Sequence, residues 1–549
     1  MSIHIFKIIC KLFYILVVVV SIIISACTSE LQKADIVIHN GLLYDGTGES
    51  PSLGTIAIKD NIILYVGKSK QFDAKKTIDA SGKSVAPGFI NMLSWGYGSL
   101  MKDGRSLSDL KQGVTLEVFG EGTSSGPRGT KNEDNYLSFG NAMDSLQNNG
   151  ISTNIASFLG AATVRIQTVG YENRKASNEE FTTMKSIVKE AMEEGAMGIG
   201  SSLIYAPGDY ADTEELIVLN KVASSYGGMY ISHMRNEDNK VMEALEELIT
   251  IAEEANIPAE IYHLKASRKA NWHMLDSVIK RVEKARAKGL QITADMYTYN
   301  ASSTGLTGVI PTWVQEGGHK AWIDRMKQPA PRKRLLADIR KELAQQPPSG
   351  ILMVGFKNDA MAKLYLGKTV AEAAIMRNQS PEETIIDMII EDDSRIQCIY
   401  FSMSEENIRK KIKIPWLSFC SDAGSYSDIT KDFKTHPRAF GSFIRVLGKF
   451  SRDEGLITMQ EAIRKLSGFP ATNLHLKNRG FLRQGYFADI VIFDEKTVKD
   501  NATFDTPLKF ADGMEYVFVN GIPVIEKSTH TGAFPGRFIK GPGYKKTIK

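Results

Sequence analysis

Apolar and polar residues alternate at both ends of the chain. This two-residue period runs through 34–48, 54–67 and 76–89, where Gly, Asn and Asp separate the segments, as in short antiparallel strands. The same pattern returns near the C-terminus, in 488–494 and 514–527. We therefore predict a small β-sandwich made from both chain ends, with its N-terminal half in 27–87 and its C-terminal half in 479–549.

Between these ends, short apolar runs alternate with amphipathic helical segments. The runs that resemble buried strands are 113–120, 151–161, 196–203, 229–233, 259–263, 290–297 and 414–422. Repeated strand–helix units predict an α/β fold, with a (β/α)8 barrel over 88–478 inserted in the sandwich. From about 313 to 399 the sequence becomes charged and helical in pattern, which indicates a helical insertion in the barrel.

Residues whose side chains can bind a metal or transfer a proton lie at the ends of several apolar runs. His233 ends one run, His263 ends the next, and the runs that follow lead to Asp295, Tyr297 and Asp422. In a barrel of this kind the C-terminal ends of the strands meet at one face, where active sites are built. A single histidine is more often structural, but two at corresponding positions of consecutive units favour a catalytic zinc site.

The first residues differ from the rest of the chain. Lys7 and Lys11 precede an apolar stretch over 12–24, and Ser-Ala-Cys27 follows it. This is the layout of a secretory signal, and its end resembles a bacterial lipobox. We predict that 1–26 is a lipoprotein signal peptide and that Cys27 carries the lipid. The mature protein would then be a cell-envelope lipoprotein, at the outer membrane and facing the periplasm or the cell surface. An uncleaved membrane anchor is the alternative.

The bulk composition narrows the classes of protein. Charged residues make up 24% of the chain, hydrophobic residues 43%, and the net charge is +4, as in an ordinary globular protein. No run of Lys and Arg forms a basic stripe, so nucleic acid is not expected as a partner. Cys398 and Cys420 remain after processing and do not make a disulfide framework. Nothing in the sequence specifies an oligomeric state.

A set of short motifs, in fixed order, extends over nearly the whole mature chain. These are APGFI (86–90), GVTLEVFGEG (113–122), 195–216, YISHMRNEDNKVMEALEE (230–247), IYHLKAS (262–267), ADMYTYNASSTGL (294–306), SDAG (421–424), HPRAFGSF (436–443), EAIRKLSGFPA (461–471), 478–494 and VFVNG (517–521). Through them the chain resembles the N-acyl-D-amino-acid deacylase (D-aminoacylase) branch of the amidohydrolase superfamily. No single motif is decisive, but the ordered set is specific.

The resemblance assigns roles to individual residues. It implies that His233 and His263 bind zinc and that Asp422 is the catalytic carboxylate. A carboxylate beside a zinc-activated water can take its proton and later protonate the leaving amine. Lys265, Tyr297 and Arg438 match positions that face the substrate, where two cations and a phenol suit the α-carboxylate of a small N-acyl amino acid or dipeptide. His436 is expected to support the site from behind, and Arg165 to reach the pocket.

The chain departs from the family pattern at its first barrel strand. The family has a His-x-His pair after the PGFI motif, whereas Leu93 and Trp95 stand here, so a two-zinc centre with the usual ligands is excluded and one ion is expected. The family's metal-binding Cys aligns without gaps to Gly122, but a shift of one residue would place Glu121 there. Zinc accepts Glu together with two His. The family's Gly-His-Gly-Thr turn has also lost its histidine, in 160–163.

Three functions remain open from the sequence. The first is a zinc hydrolase that cleaves N-acyl-D-amino acids or related D-amino-acid amides and dipeptides, with Glu121, His233 and His263 as ligands. The second is an amidohydrolase with a shifted substrate, another linear or cyclic amide. The third is a degenerate binding lipoprotein without catalysis. Retention of the polar residues at the barrel mouth favours the first.

Overall fold

The computed structural model describes residues 2–25, 31–129, 131, 133–429 and 434–546. The predicted lipidation site Cys27 lies outside these residues. Ser2–Ser25 forms a helix. Within the described ranges, no helix is both long enough and apolar enough to cross a membrane.

Strands from both chain ends share one hydrogen-bonded sheet. Its nine strands are Lys33–Leu43, Ser52–Lys59, Ile62–Gly67, Asp73–Asp79, Ser84–Pro87, Ile490–Phe493, Met514–Val519, Ile522–Glu526 and Thr529–His530. The two ends meet where Ile490–Phe493 runs antiparallel to Ser84–Pro87. The alternating apolar positions of these strands pack into a common core that includes Ile38, Ile56 and Phe518.

The barrel lies between the two halves of this sheet. Its strands are Phe89–Asn91, Val114–Phe119, Asn154–Ser157 continued by Leu159–Gly160, Gly198–Ser202, Met229–His233, Ala259–Ile261 and Ile292–Ala294. The last position is filled by 417–423, which pairs in parallel with Ala294 on one side and with Ser94 on the other and so closes the ring. The predicted fold class is therefore confirmed.

Helices cover the outside of the barrel. They are Tyr97–Lys102, Leu107–Leu110, Phe139–Asn148, Ala161–Thr168, Asn178–Glu194, Thr213–Ser225, Val241–Glu254, Leu275–Ala287, Glu405–Ile412, Met459–Leu466 and Gly468–Asn473, with short 3-10 turns at Gly208–Tyr210 and Lys269–Met274 and a π-helix at Val446–Asp453. A further short helix, Arg438–Gly441, begins at a residue that lines the cavity of the barrel. Because helices cover the outer face of the strands and side chains fill the inner face, the strands are buried on both sides.

The segment after the strand Ile292–Ala294 builds a unit of its own. Its helices are Leu306–Val309, Thr312–Gln315, Gly318–Lys327, Pro329–Gln345, Pro348–Gly350, Asp359–Tyr365, Val370–Arg377 and Pro381–Asp392. An antiparallel sheet of Ser302–Gly305, Gln397–Tyr400 and Ile351–Gly355 accompanies them, which the helical expectation did not include. Leu306, Trp322, Ile339 and Ile386 belong to its separate hydrophobic core.

The C-terminal tail returns to the barrel. Ile155, in a barrel strand, donates its backbone N–H to the carbonyl of Arg537 and accepts from the N–H of Ile539. The Asn154 side chain also accepts from the Arg537 N–H, 383 residues further along the chain. The tail therefore contributes backbone hydrogen bonds to the barrel itself.

Candidate active site

Three potential metal ligands meet at the C-terminal mouth of the barrel. Glu121 follows the strand Val114–Phe119, His233 ends its strand and His263 follows Ala259–Ile261. Glu121 Oε1 lies 2.8 Å from His233 Nδ1 and 3.2 Å from His263 Nε2, and the two imidazole ring centroids are 4.5 Å apart. One ligand atom from each residue lies within 4.8 Å of the others, and all three residues are buried.

The backbone favours Glu121 over position 122 as the place of a metal-binding side chain. Gly120 and Gly122 have φ angles of +108° and +66°, which favour glycine, so the chain turns sharply on both sides of Glu121. A Cβ on Gly122 would lie 2.6 Å from the Cβ of Ser202, so no side chain fits there. A carboxylate with two imidazoles is a known catalytic zinc ligand set, and the residues present fit that ion.

The charges around this cluster favour a cation. Burial opposes ionisation of Glu121, but hydrogen bonds from His233 and His263 outweigh it and hold the pKa of that carboxyl well below its ordinary value. Burial and Lys265 lower the pKa of His263, but Glu237, Asp422 and Glu121 outweigh them and raise it to about 10. The metal-free site therefore holds a proton where a metal ion would bring positive charge.

Glu237 belongs to the site and was missed by sequence reasoning. Its carboxylate lies 3.3 Å from His233 Nε2, 3.1 Å from His263 Nδ1 and 2.7 Å from Lys265 Nζ. It thus faces the ring nitrogens that do not face Glu121, an arrangement that fixes ring orientation in metal sites. Its only sequence signal is a carboxylate four residues after the histidine that ends a strand.

Lys265 and Tyr297 line the same cavity. Lys265 is buried, and its Nζ also lies 2.7 Å from His263 Nδ1 and 6.0 Å from the Tyr297 ring centroid. Burial raises the pKa of Tyr297 well above its ordinary value, so the phenol remains a neutral donor. Asp295, two residues earlier, accepts the backbone N–H of His263 at 2.7 Å. That bond supports His263 at its left-handed φ of +34°.

Asp422 lies at the seam where the last barrel strand meets the first. Its Oδ2 is 2.5 Å from Arg438 Nη1, and its Oδ1 accepts the indole N–H of Trp95 at 3.2 Å. The guanidinium of Arg438 also lies 4.5 Å from the Tyr297 ring centroid, and its buried Nε has no hydrogen-bond partner in the described structure. Arg438 therefore pairs with the catalytic candidate, and its Nη2 also donates to the carbonyl oxygen of Ser303 at 3.3 Å.

His436 supports Arg438 through the backbone. Its Nδ1 accepts the Arg438 N–H at 3.0 Å, and its Nε2 lies 2.9 Å from the carbonyl oxygen of Ala301. Burial and the nearby Arg438 charge lower the pKa of His436 well below its ordinary value, so the ring is neutral. A neutral ring that accepts at Nδ1 carries its proton at Nε2 and donates it to Ala301.

Arg165 lies away from the pocket, contrary to expectation. It is only 1% exposed, and its Nη1 pairs with Glu215 Oε2 at 2.5 Å while Nη2 donates to the carbonyls of Glu172 and Arg174. Its place inside the helix Ala161–Thr168 directs the side chain toward the neighbouring helix rather than the barrel mouth. The role of Arg165 is structural.

Replacing Arg165 by Ala should destabilise the protein by about 3–5 kcal/mol, because it leaves the buried Glu215 carboxylate unpaired. The shift in thermal unfolding temperature measures the effect. Lys131→Ala is the matched control: it breaks an ion pair with Glu190 that is equally short, at 2.5 Å, but exposed, and should cost at most about 1 kcal/mol. Equal losses in the two variants would contradict the structural role.

One large cavity opens above the cluster. Its volume is about 1540 Å³, and Glu121, His233, His263, Lys265, Tyr297, Asp422 and Arg438 all line it. The seven site residues selected from the sequence therefore face a common space. The cavity extends from the barrel mouth to the unit built by 302–400, whose strands and helices form its outer wall.

Known proteins match both the sequence and the fold. The model of the amidohydrolase family matches 421–525. An N-acyl-D-glutamate deacylase of Alcaligenes xylosoxydans xylosoxydans is 30% identical over 93% of this chain and 97% of its own. A solved D-aminoacylase, described as having a binuclear centre with one-metal activation and second-metal attenuation, is 28% identical over 92% of this chain and all of its own, with a TM-score of 0.77.

A second solved structure agrees with these matches. The N-acyl-D-glutamate deacylase of Bordetella bronchiseptica, solved with zinc and a phosphonate inhibitor, is 26% identical over 93% of this chain and its whole length, with a TM-score of 0.78. Together with the barrel and its cluster of three potential metal ligands, these matches define an amidohydrolase, an enzyme that hydrolyses amide bonds. Within that superfamily, the chain belongs to the D-aminoacylase branch.

Proposed function

We propose that this enzyme is a zinc-dependent deacylase of N-acyl-D-amino acids, with Asp422 as the general acid and base. The observation that carries the proposal is the convergence of Glu121, His233 and His263 within one ion's reach. The relatives supply the substrate class, since they cover nearly the whole chain and are named for deacylation of D-amino acids.

Each residue of the site has a part in the proposed reaction. A zinc ion held by Glu121, His233 and His263 would supply an activated water and polarise the amide carbonyl. Asp422 accepts a proton from the attacking water and returns it to the nitrogen of the leaving amine. Arg438 and Lys265, which both line the cavity, bind the substrate α-carboxylate.

We further propose a single metal ion per chain. Leu93 is fully buried and apolar, and the side chain of Trp95 donates its N–H to Asp422, so neither residue offers a lone pair to a second ion. The D-aminoacylase described as activated by one metal and attenuated by a second supports a one-metal enzyme. Metal analysis of purified protein should give about one zinc per chain, and two would contradict the proposal.

The alternatives explain the site less well. A binding protein without catalysis would not need a buried carboxylate that faces the cavity beside the metal cluster, as Asp422 does. An uncharged amide substrate would leave Lys265 and Arg438, the two cations that line the cavity beside the cluster, without a substrate carboxylate to bind. The test is a panel of N-acyl-D-amino acids, their L-enantiomers, D-dipeptides and uncharged amides with added zinc, scored for released amine. Turnover confined to uncharged amides would reject the proposed substrate class.

Zinc affinity should depend on pH through His263. Its pKa of about 10 in the metal-free protein means that zinc must displace one proton from this ring at neutral pH. We therefore expect the apparent affinity to rise about tenfold per pH unit between pH 6.5 and 8.5. Competition with a chromophoric chelator measures it, and proton release in weak buffer is the control. An affinity that does not change with pH would contradict this protonation state.

We also propose that the enzyme is an envelope lipoprotein anchored through Cys27. The support is the basic, apolar and Ser-Ala-Cys order of the first 27 residues. Fractionation of cells that express the full chain tests the proposal. The wild type should sediment with membranes and Cys27→Ser should not, whereas equal sedimentation of both would reject the lipid anchor.

A further inference from the structure

We infer that Trp95 is a positioning residue for Asp422. Its indole N–H holds the catalytic carboxylate at the strand position where the family pattern has a metal-binding histidine. The inference rests on the proposed function, because it assigns Trp95 a role only through Asp422. The contact that carries it is the 3.2 Å hydrogen bond from Trp95 Nε1 to Asp422 Oδ1.

The backbone at the barrel seam places the two side chains next to each other. Asp422 donates its N–H to the carbonyl of Leu93 at 2.9 Å, and Trp95 donates its N–H to the carbonyl of Ala423 at 2.9 Å. Asp422 itself has a left-handed φ of +47°. The first and last strands are thus hydrogen-bonded to each other at Trp95 and Asp422. These main-chain bonds hold the indole and the carboxylate next to each other.

The turn that carries Trp95 is itself tightly held. Ser94 donates its hydroxyl to the buried carboxylate of Glu117 at 2.7 Å, and Ser94 Oγ accepts the N–H of Gly96 at 3.0 Å. A Cβ on Gly96 would lie 2.6 Å from Glu117 Oε2, so no larger residue fits there. The backbone on both sides of Trp95 is therefore fixed, and the indole starts from a defined position.

The two residues that donate hydrogen bonds to Asp422, Arg438 and Trp95, respond differently when substrate binds. Arg438 binds Oδ2, but in the proposed reaction the same guanidinium also receives the substrate α-carboxylate. Trp95 binds the other oxygen, and its N–H is a donor only, with no charge to share. Once substrate competes for Arg438, the indole bond still fixes the plane of the carboxylate. A neutral donor also orients the carboxylate without cancelling its charge.

The exposure of Trp95 agrees with a role in the site. The residue is 48% exposed and lines the cavity. Tryptophan side chains that serve only for packing are, on average, largely buried. Its polar atom donates to the proposed catalytic carboxylate at 3.2 Å. The same indole removes the position from metal binding, because it has no lone pair to offer an ion.

Trp95→Phe tests the inference, because it removes the N–H and keeps most of the ring. We expect kcat to fall about ten- to a hundredfold, the range for loss of one hydrogen bond to a charged group, with KM changed less than about threefold. Zinc content and melting temperature should match the wild type. Trp313→Phe is the matched control, because it removes an indole bond of the same 3.2 Å length to Asp338, in the unit outside the barrel. The control should retain wild-type kcat.

A second measurement does not depend on activity. In protein labelled with 15N at the indoles of its five tryptophans, the Trp95 signal is identified by its absence in Trp95→Phe. We expect Asp422→Asn to shift this signal and to leave the Trp313 signal unmoved. An unmoved Trp95 signal would overturn the contact.

The kinetic outcomes separate this inference from the proposed function. An active wild type with a Trp95→Phe kcat within twofold of it would reject the role of Trp95 alone. An equal loss in Trp313→Phe, or a rise in KM without a fall in kcat, would also reject it. A wild type that releases amine from no member of the panel would reject the deacylase function and with it the catalytic role of Trp95.

Discussion

Asp422→Asn should lower kcat by about 10²–10⁴-fold, the usual contribution of a general acid or base. The amide keeps the size of the side chain but cannot take the proton of the attacking water. Zinc content should stay at the wild-type level, because Asp422 is not among the three clustered ligands. The measurement is the release of D-amino acid at saturating substrate, with zinc determined on the same preparation.

Asp387→Asn provides the control for this loss. Asp387 also pairs with an arginine, 2.7 Å from Arg332 Nη2, but it belongs to the helix Pro381–Asp392 of the outer unit and does not line the cavity. Removal of its charge should leave kcat unchanged. Near-normal turnover by Asp422→Asn would remove its assigned role, and loss of zinc together with activity would show that Asp422 holds the metal instead.

Glu121→Ala should weaken zinc binding by at least about a hundredfold and abolish turnover at limiting zinc. The change removes one of the three proposed ligands, while even supporting partners of a ligand contribute about ten- to a hundredfold. It also leaves His233 and His263 without the carboxylate that lies 2.8 and 3.2 Å from them. Zinc content after dialysis against a weak chelator measures the effect.

Glu121→Cys separates ligand loss from structural damage. A thiolate is a good zinc ligand at this position, so this variant should retain zinc. Gly122→Cys should not improve binding, since its Cβ would meet Ser202. Zinc content unchanged in Glu121→Ala would refute the assignment of Glu121 as a ligand.

The barrel was predictable because its signal is strong and local. Runs such as 229–233 are apolar, short and followed by an amphipathic helix, and the chemistry of His233 and His263 follows from their place at strand ends. The small sheet of the outer unit was harder to predict. Its strands, such as Gln397–Tyr400, have four or five residues and lie among helices, so their pairing depends on tertiary contacts.

In the site, too, some features follow from the local sequence, whereas others depend on contacts between distant segments. Sequence left open whether Gly122 or Glu121 takes the place of the family's metal-binding Cys, and the backbone angles and the proximity of Ser202 favour Glu121. Glu237 follows no periodic pattern, and its contact with two histidines arises only when two strands meet. Likewise, the pairing of Arg438 with Asp422 cannot be read from a separation of 16 residues.

The C-terminal tail, which bonds to the barrel strand at Ile155, determines when the barrel can finish folding. Asn154 and Arg537 are 383 residues apart, so the strand keeps unpaired backbone groups until almost the whole chain is present. Contacts of such long sequence separation form slowly, because the chain must close a large loop first. A C-terminal truncation before 537 should therefore yield an incompletely assembled barrel, even though every residue that lines the metal cluster is retained.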